Sequence, residues 1–310
     1  MTSDSKDMFY EELYLSVYSL KQYNPEAIVE LVCDNDTFTS LAGKRSHIKT
    51  FFNNIIDVKF SPKYDKKQRS RLLKTSIRQL VAGDFLYLDC DTIVADSLEE
   101  IDRIPSDIAG VFDAHNSATG PRGTLQFKDV LAWEGGAVNY HFFNSGVLFV
   151  KDTSYAHLFF EKWKELLFEF FEMGYSLDQY ALRKAQYILG KEMLELDGFW
   201  NCQASPVRGH YFLNKAKIYH YFDTYKHTDT NRELVSVKKN GFLEEKFQAS
   251  FNSHKKIRNW YIKLLAIRKV LRRNYIAKLC SLHPFLNSLV INTSSILYRY
   301  WLFKHKQELR

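Results

Sequence analysis

The chain has 310 residues, 45% hydrophobic and 25% charged, which is the composition of a folded globular protein and excludes a disordered or fibrous one. Its four cysteines (Cys33, Cys90, Cys202, Cys280) are far apart and form no CxxC pair, which argues against a disulfide framework or zinc site and fits a reducing compartment. The net charge of +7 is uneven: from Lys255 to Arg310 thirteen Lys/Arg face one acid, Glu308, so this tail carries +12 and residues 1–254 carry −5.

The opening MTSDSKDMFYEE has no basic n-region and no apolar h-region, so no signal peptide is expected. No stretch of about 18 uninterrupted apolar residues suggests a transmembrane helix. Tyr10, Leu13, Val17 and Leu20 recur at helical spacing and predict a helix over 9–23, stopped by Asn24-Pro25. Ile28–Cys33 reads as a strand followed by the polar turn Asp34-Asn35-Asp36. Ile55–Phe60 is a second strand, 69–82 a helix and Phe85–Leu88 a third strand. Ile108–Phe112 is a further strand, and 113–141 reads as a long functional or mobile connection. Val147–Val150 (strand), Tyr155–Met173 and Leu177–Ile188 (helices) and Lys217–Tyr221 (strand) follow. Strands alternating with helices predict an α/β fold with a largely parallel sheet flanked by helices.

The third strand ends in an unusual way. Phe85-Leu86-Tyr87-Leu88 runs straight into Asp89-Cys90-Asp91. Two acids one residue apart repel each other, and a buried unpaired carboxylate is costly. A divalent cation, a basic partner or solvent at a loop could each relieve them. Alternation puts both side chains on one side of an extended segment. In open α/β sheets ligands bind beyond the carboxyl ends of the strands. Two hard oxygen ligands suit Mg²⁺ or Mn²⁺, which share their other positions with substrate phosphates.

The surrounding blocks carry a family likeness. Arg71–Val94, RLLKTSIRQLVAGDFLYLDCDTIV, resembles the corresponding stretch of the retaining GT-A glycosyltransferases of the family 8 type. His141–Thr153 (HFFNSGVLFVKDT), Ser176–Ala181 (SLDQYA), Phe199-Trp200-Asn201 and Ile218–Lys226 (IYHYFDTYK) follow in the family's order, so that residues 2–227 are covered. The resemblance implies a GT-A (Rossmann-like) domain over 1–250 that is a UDP-sugar-dependent hexosyltransferase, retaining anomeric configuration. It implies Mn²⁺ or Mg²⁺ on Asp89, Asp91 and His220. It implies donor contacts from Thr2 and Asp4 to the uridine, from Arg71 and Cys90, and from Lys226 to the diphosphate. Asp113, Asn144, Asp178 and Gln179 would line the sugar, the last two as the catalytic residues. Read without the resemblance, Asn144 and Gly146 make a plain turn and Asp178 is a helix-start acid favoured by the dipole.

Three features depart from the pattern. Family members carry a strand ahead of the Thr-x-Asp-like turn, whereas Met1 here directly precedes Thr2-Ser3-Asp4, so that strand is missing or the start lies upstream. Asp223 replaces the family glycine, and His227-Thr228 replace Pro-Trp.

The tail over 251–310 has its own pattern. Ile257, Trp260, Tyr261, Leu264, Leu271 and Tyr275 recur at helical spacing, with Lys255, Arg258, Lys269 and Arg273 on the opposite face. Such a helix reads as binding a membrane surface, not nucleic acid. The expected function is transfer of a hexose to a glycan or lipid-linked glycan acceptor, a precursor of lipopolysaccharide, capsule or a similar cell-surface polymer. Its expected place is the cytoplasm, peripheral on the inner face of the cell membrane. The alternative is a non-catalytic membrane-bound nucleotide-sugar binder.

Overall fold

Tyr10, Leu13, Val17 and Leu20 are buried in α1 (Phe9–Tyr23), but so is every residue from Glu12 to Leu20, so the helix is covered all round and not on one face alone. The computed structural model describes residues 1–3, 9–117, 119, 128–203, 212 and 216–220. The expected helical tail at 251–310 lies outside these. β1 (Glu30–Asp34) follows, and its last residue becomes a helix cap. The Thr37 N–H donates to Asp34 Oδ1 at 3.1 Å, so the expected polar turn opens α2 (Asn35–Ser40) instead. β2 (Asn54–Val58) pairs with β1 in parallel. α3 (Lys66–Leu80) starts earlier than its apolar pattern indicated. Asp65 and Gln68 form a reciprocal capping box that supplies three further residues.

β3 (Phe85–Leu88), β4 (Thr92–Val94), β5 (Ile108–Phe112) and β6 (Phe143–Val150) form the middle of the molecule. The 113–141 connection is not wholly irregular, since it contains α4 (Lys128–Glu134). A bidentate Glu134–Arg183 ion pair, both side chains fully buried, ties α4 to α6 (Asp178–Leu189). α5 (Ser154–Glu172) buries Phe159, Phe160, Trp163, Leu166, Leu167 and Phe170, each contributing roughly 1.5–3 kcal/mol of burial, and packs on α3 and α6. Short strands β7 (Leu194–Glu195), β8 (Cys202–Gln203) and β9 (Ile218–His220) complete the described elements.

The helix-flanked α/β class holds, but the sheet is mixed rather than largely parallel. β6 lies between β3 and β5 and runs antiparallel to both; β4 is antiparallel to β9. β1–β2, β5–β7 and β8–β9 are the parallel pairs. Hydrophobic runs set which strands are buried but not their direction.

β6 also contains a bulge. Gly110 pairs with Leu148 and the next residue, Val111, with Asn144, so Ser145, Gly146 and Val147 stand between two consecutive pairs. Leu148 and Val150 join the core of α3 and α5, while Val147 and Phe149 join the opposite cluster with Trp200 and Ile218. A bulge of this kind redirects side chains. Among the described residues no helix is long and apolar enough to cross a membrane.

Candidate active site

The Asp89 N–H donates to the Gly146 carbonyl at 2.7 Å and extends the β3–β6 ladder one residue past Leu88. The Thr92 hydroxyl donates to the Asp89 carbonyl at 2.8 Å and closes the turn into β4. β9 pairs with β4 so that His220 lies opposite Thr92, which delivers the imidazole to the acids from another part of the chain. Asp91 Oδ1 is 3.2 Å from His220 Nε2. One ligand atom from each of Asp89, Asp91 and His220 falls within 4.8 Å of the others.

A network of amides fixes the imidazole. The Gly146 backbone N–H can only donate, and it donates to Asn144 Oδ1 at 3.0 Å. The Asn144 amide nitrogen therefore points to Asp113 Oδ1, at 3.2 Å. Asn201 Nδ2 also donates to Asn144 Oδ1, at 3.0 Å, which leaves Asn201 Oδ1 to accept from His220 Nδ1 at 3.1 Å. With its proton on Nδ1, the neutral ring turns the Nε2 lone pair towards Asp91. A lone pair and a carboxylate oxygen at 3.2 Å require a cation or a proton between them. Consistent with this, burial opposes the His220 charge, but Asp91 and Asp89 outweigh it and raise its pKa.

The donor set fits a divalent cation: two carboxylates and an imidazole whose far nitrogen is held by an amide oxygen. The space beside them is also kept open. A Cβ on Gly146 would stand 2.2 Å from His220 Cε1 and 2.8 Å from Asp89 Oδ2. Gly146 is thus required by close approach, not by a turn; it and Asn144 lie inside a fully buried strand.

Beside this cluster lies a second, buried one. Lys74 on α3 is 3% exposed; its Nζ is 2.9 Å from Asp89 Oδ2, 3.3 Å from Ser145 Oγ and 3.8 Å from Asp178 Oδ2. Asp178 is the first residue of α6. Its Oδ1 pairs with Arg71 Nε at 3.2 Å and its Oδ2 accepts from Ser145 at 2.7 Å. Its backbone carbonyl accepts from Trp163 Nε1 at 2.9 Å. Burial would raise the Asp178 pKa, but Arg71, Lys74 and the Ser145 hydroxyl lower it. For Asp89 burial is likewise outweighed, chiefly by Lys74 and His220, and its pKa falls to about 2. The Tyr87 hydroxyl donates to Asp89 Oδ1 at 2.5 Å.

Gln179 Nε2 donates to Asp113 Oδ1 at 3.1 Å, joining α6 to the end of β5. The backbone after Asp113 enters the left-handed region at Ala114 (φ 53°) and His115 (φ 51°). This conformation is sparsely populated for residues with a Cβ and is held here by Gln203, whose Oε1 accepts from the Ala114 N–H at 2.6 Å.

Of the residues singled out in the sequence, Thr2, Arg71, Asp89, Cys90, Asp91, Asp113, Asn144, Asp178, Gln179 and His220 line one cavity of about 1530 Å³. Thr2 reaches it by pairing with α3, its hydroxyl 3.3 Å from the Lys66 carbonyl. Cys90 also packs against the apolar cluster of α1 and β1, where burial pushes its thiol up to about 12. Asp4 and Lys226 lie outside the described residues. Lys74, Tyr87, Ser145 and Asn201 carry site contacts that the sequence reading did not assign. One signal pointed to Lys74: it follows Arg71 by three, which puts both on one helix face.

The sequence matches Glycosyl transferase family 8 over residues 3–227. A search of curated proteins gives no match. Among solved structures, the galactosyltransferase LgtC in complex with donor and acceptor sugar analogs is similar to this chain, with 15% identity and a TM-score of 0.52 over 79% of this chain and 97% of that one. An active-site mutant of LgtC gives 14% identity and a TM-score of 0.50 over the same shares. Mouse xyloside xylosyltransferase 1 in its apo form gives 14% identity and a TM-score of 0.46, over 71% of this chain and 94% of that one. The LgtC likeness concerns the fold, while the family match spans most of the chain. The chain belongs to glycosyl transferase family 8 and is a glycosyltransferase of GT-A fold.

Proposed function

We propose that this glycosyltransferase moves a hexose from a UDP-sugar to a cell-surface glycan precursor, such as lipopolysaccharide or capsule, with retention of configuration and dependence on Mn²⁺ or Mg²⁺. The observation that carries this reading is the Asp89–Asp91–His220 cluster at the strand ends, adjoining a second set of polar side chains in one cavity. Asp89, Asp91 and His220 would hold the cation. Its chemistry, when bound, is to neutralise charge on the departing diphosphate. Lys226, outside the described residues, would add a point charge to the same oxygens. Arg71, Asp113, Asn144 and Gln179 would orient the sugar.

Retention can proceed through a covalent carboxylate intermediate, as in retaining glycosidases, or by front-face attack. Both oxygens of Asp178 are engaged, one by Arg71 and one by Ser145. This favours Asp178 as the counter-charge that positions Arg71 and Lys74, with the acceptor approaching from the leaving-group side. A panel of UDP-sugars tests the reading. Slow UDP release from one donor is expected with Mn²⁺, and its loss in chelator and in Asp91→Ala. Metal-dependent UDP binding without turnover in the presence of acceptor extracts would instead support the non-catalytic alternative.

We further propose that residues 255–310 bring the enzyme to the inner face of the membrane, where lipid-linked acceptors reside. Basic residues near an anionic leaflet contribute about 1 kcal/mol each. The full chain should co-sediment with vesicles containing anionic lipid and be released by high salt. Equal recovery with neutral and anionic vesicles at low salt would overturn this assignment.

A further inference from the structure

Lys74 stands at the junction of the two halves of the site, and its charge bears on the cluster beside it. Its Nζ is 2.9 Å from Asp89 Oδ2 and 3.8 Å from Asp178 Oδ2. The side chain is 3% exposed, so little water or salt screens it. Asp178 has a cation of its own, since Arg71 Nε lies 3.2 Å from its Oδ1. The Lys74 charge therefore acts mainly on Asp89.

The oxygen that Lys74 holds is the one on the imidazole side. A Cβ on Gly146 would lie 2.8 Å from Asp89 Oδ2 and 2.8 Å from His220 Nε2, so this oxygen and this nitrogen adjoin the same small space. The other oxygen, Oδ1, accepts from the Tyr87 hydroxyl. As burial does, the Lys74 ammonium opposes positive charge on His220, while Asp91 and Asp89 favour it. The same field opposes any cation placed among the three side chains. Asp89 and Asp91 offer two negative charges and Lys74 cancels one. The donor set thus suits a divalent ion in kind and falls short of it in charge. A diphosphate is an anion and can supply the remainder. Asp178 offers the ammonium a second carboxylate when Asp89 turns to another partner.

We infer that Lys74 makes binding of the divalent cation conditional on the nucleoside diphosphate: it weakens the bare site and reserves full affinity for the two together. The inference rests on the reading of Asp89, Asp91 and His220 as the cation site. Such coupling is reciprocal, so the cation raises UDP affinity by the factor by which UDP raises that of the cation.

The test titrates Mn²⁺ into the full-length chain, with and without UDP, and follows the free-ion EPR signal. Wild type is compared with Lys74→Met and with Lys74→Gln, which keeps a hydrogen-bond donor without the charge. Wild type should bind Mn²⁺ at least about tenfold more tightly with UDP than alone, within the roughly 5–150-fold common for coupled sites. Both variants should bind Mn²⁺ alone at least about tenfold more tightly than wild type, and UDP should add correspondingly less. Mn²⁺ alone should also raise their melting temperatures by more than it raises that of wild type. A lysine that only holds the fold predicts the opposite, weaker Mn²⁺ binding in both variants, and that result would overturn the inference. So would variants that match wild type, variants that stay unfolded in Mn²⁺, or a wild type indifferent to UDP. A wild type that takes up no Mn²⁺ even with UDP would overturn the cation reading itself, and this inference with it.

Discussion

Replacing Lys74 with methionine is expected to destabilise the fold by about 3–5 kcal/mol, the cost of leaving buried charge without its partner. The side chain is 3% exposed and lies between Asp89 and Asp178, one of them almost fully buried. Methionine keeps most of the bulk, so the loss reports charge and not a cavity. The pH dependence gives the second check. Asp89 has a folded pKa of about 2 against an ordinary 3.8, so its contribution is fully present above about pH 4 and is lost as the pH falls towards 2. The gap between wild type and Lys74→Met should therefore be widest near neutrality and narrow below pH 4. Urea unfolding in chelator at pH 7, 4 and 3 measures it. Adding Asp178→Asn to Lys74→Met should recover part of the loss, because one of the stranded charges is removed. A single-variant loss below about 1 kcal/mol, flat with pH, would show that Lys74 does not hold these carboxylates.

Gly146→Ala should abolish metal-dependent turnover in a protein that still folds. A single methyl there cannot avoid His220 Cε1 at 2.2 Å, and it presses on Asp89 Oδ2 at 2.8 Å. The ring is tied through Nδ1 to Asn201, so its retreat disturbs the network back to Asn144. The expected fall in Mn²⁺ affinity is at least the roughly 10–100-fold that accompanies loss of a ligand-orienting partner. Gly110→Ala is the matched control in the neighbouring strand. Its Cβ would meet Leu148 Cδ2 at 3.0 Å and Met193 Cε at 3.2 Å, the far ends of side chains able to move. It should cost some stability and leave Mn²⁺ affinity near wild type. Titrations of both variants that match wild type would remove the cluster from the chemistry.

The longer helices were legible because their apolar residues repeat at 3.6, whereas their ends are set by caps, Asp65, Thr153 and Gly190, that the apolar pattern does not show. The acid pair was legible because charge at the end of an apolar strand needs compensation. Strand direction was not, because Phe85–Leu88 and Val147–Val150 present the same kind of apolar run whichever way they pair. Lys74 was hard to see since a lysine in an amphipathic helix normally marks the solvent face; only its two distant carboxylates make burial tolerable. Asn144 and Gly146 looked like a plain turn, and Ser145 between them is polar as well. In the structure they sit in a buried strand, their polarity satisfied by Asp113, Asn201, Asp178 and Lys74.

The bulge in β6 has a consequence for how this strand can change. Beyond it, Leu148 and Val150 keep step with the core of α3 and α5. Before it, Phe143 and Ser145 face that side while Asn144 and Gly146 face Asn201 and His220. Gly146 and Val147, though adjacent, both turn away from α3, so the strand is two half-strands set one phase apart. Removing one residue from the bulge would keep each side chain on its own face. It would also draw the site half about 3.4 Å along the strand, taking Asn144 and Gly146 out of reach of their partners. Removing one within the packing half would instead turn side chains over to the wrong face. Substitutions of similar size in that half do neither. The geometry is therefore tolerant of drift in composition and intolerant of drift in length.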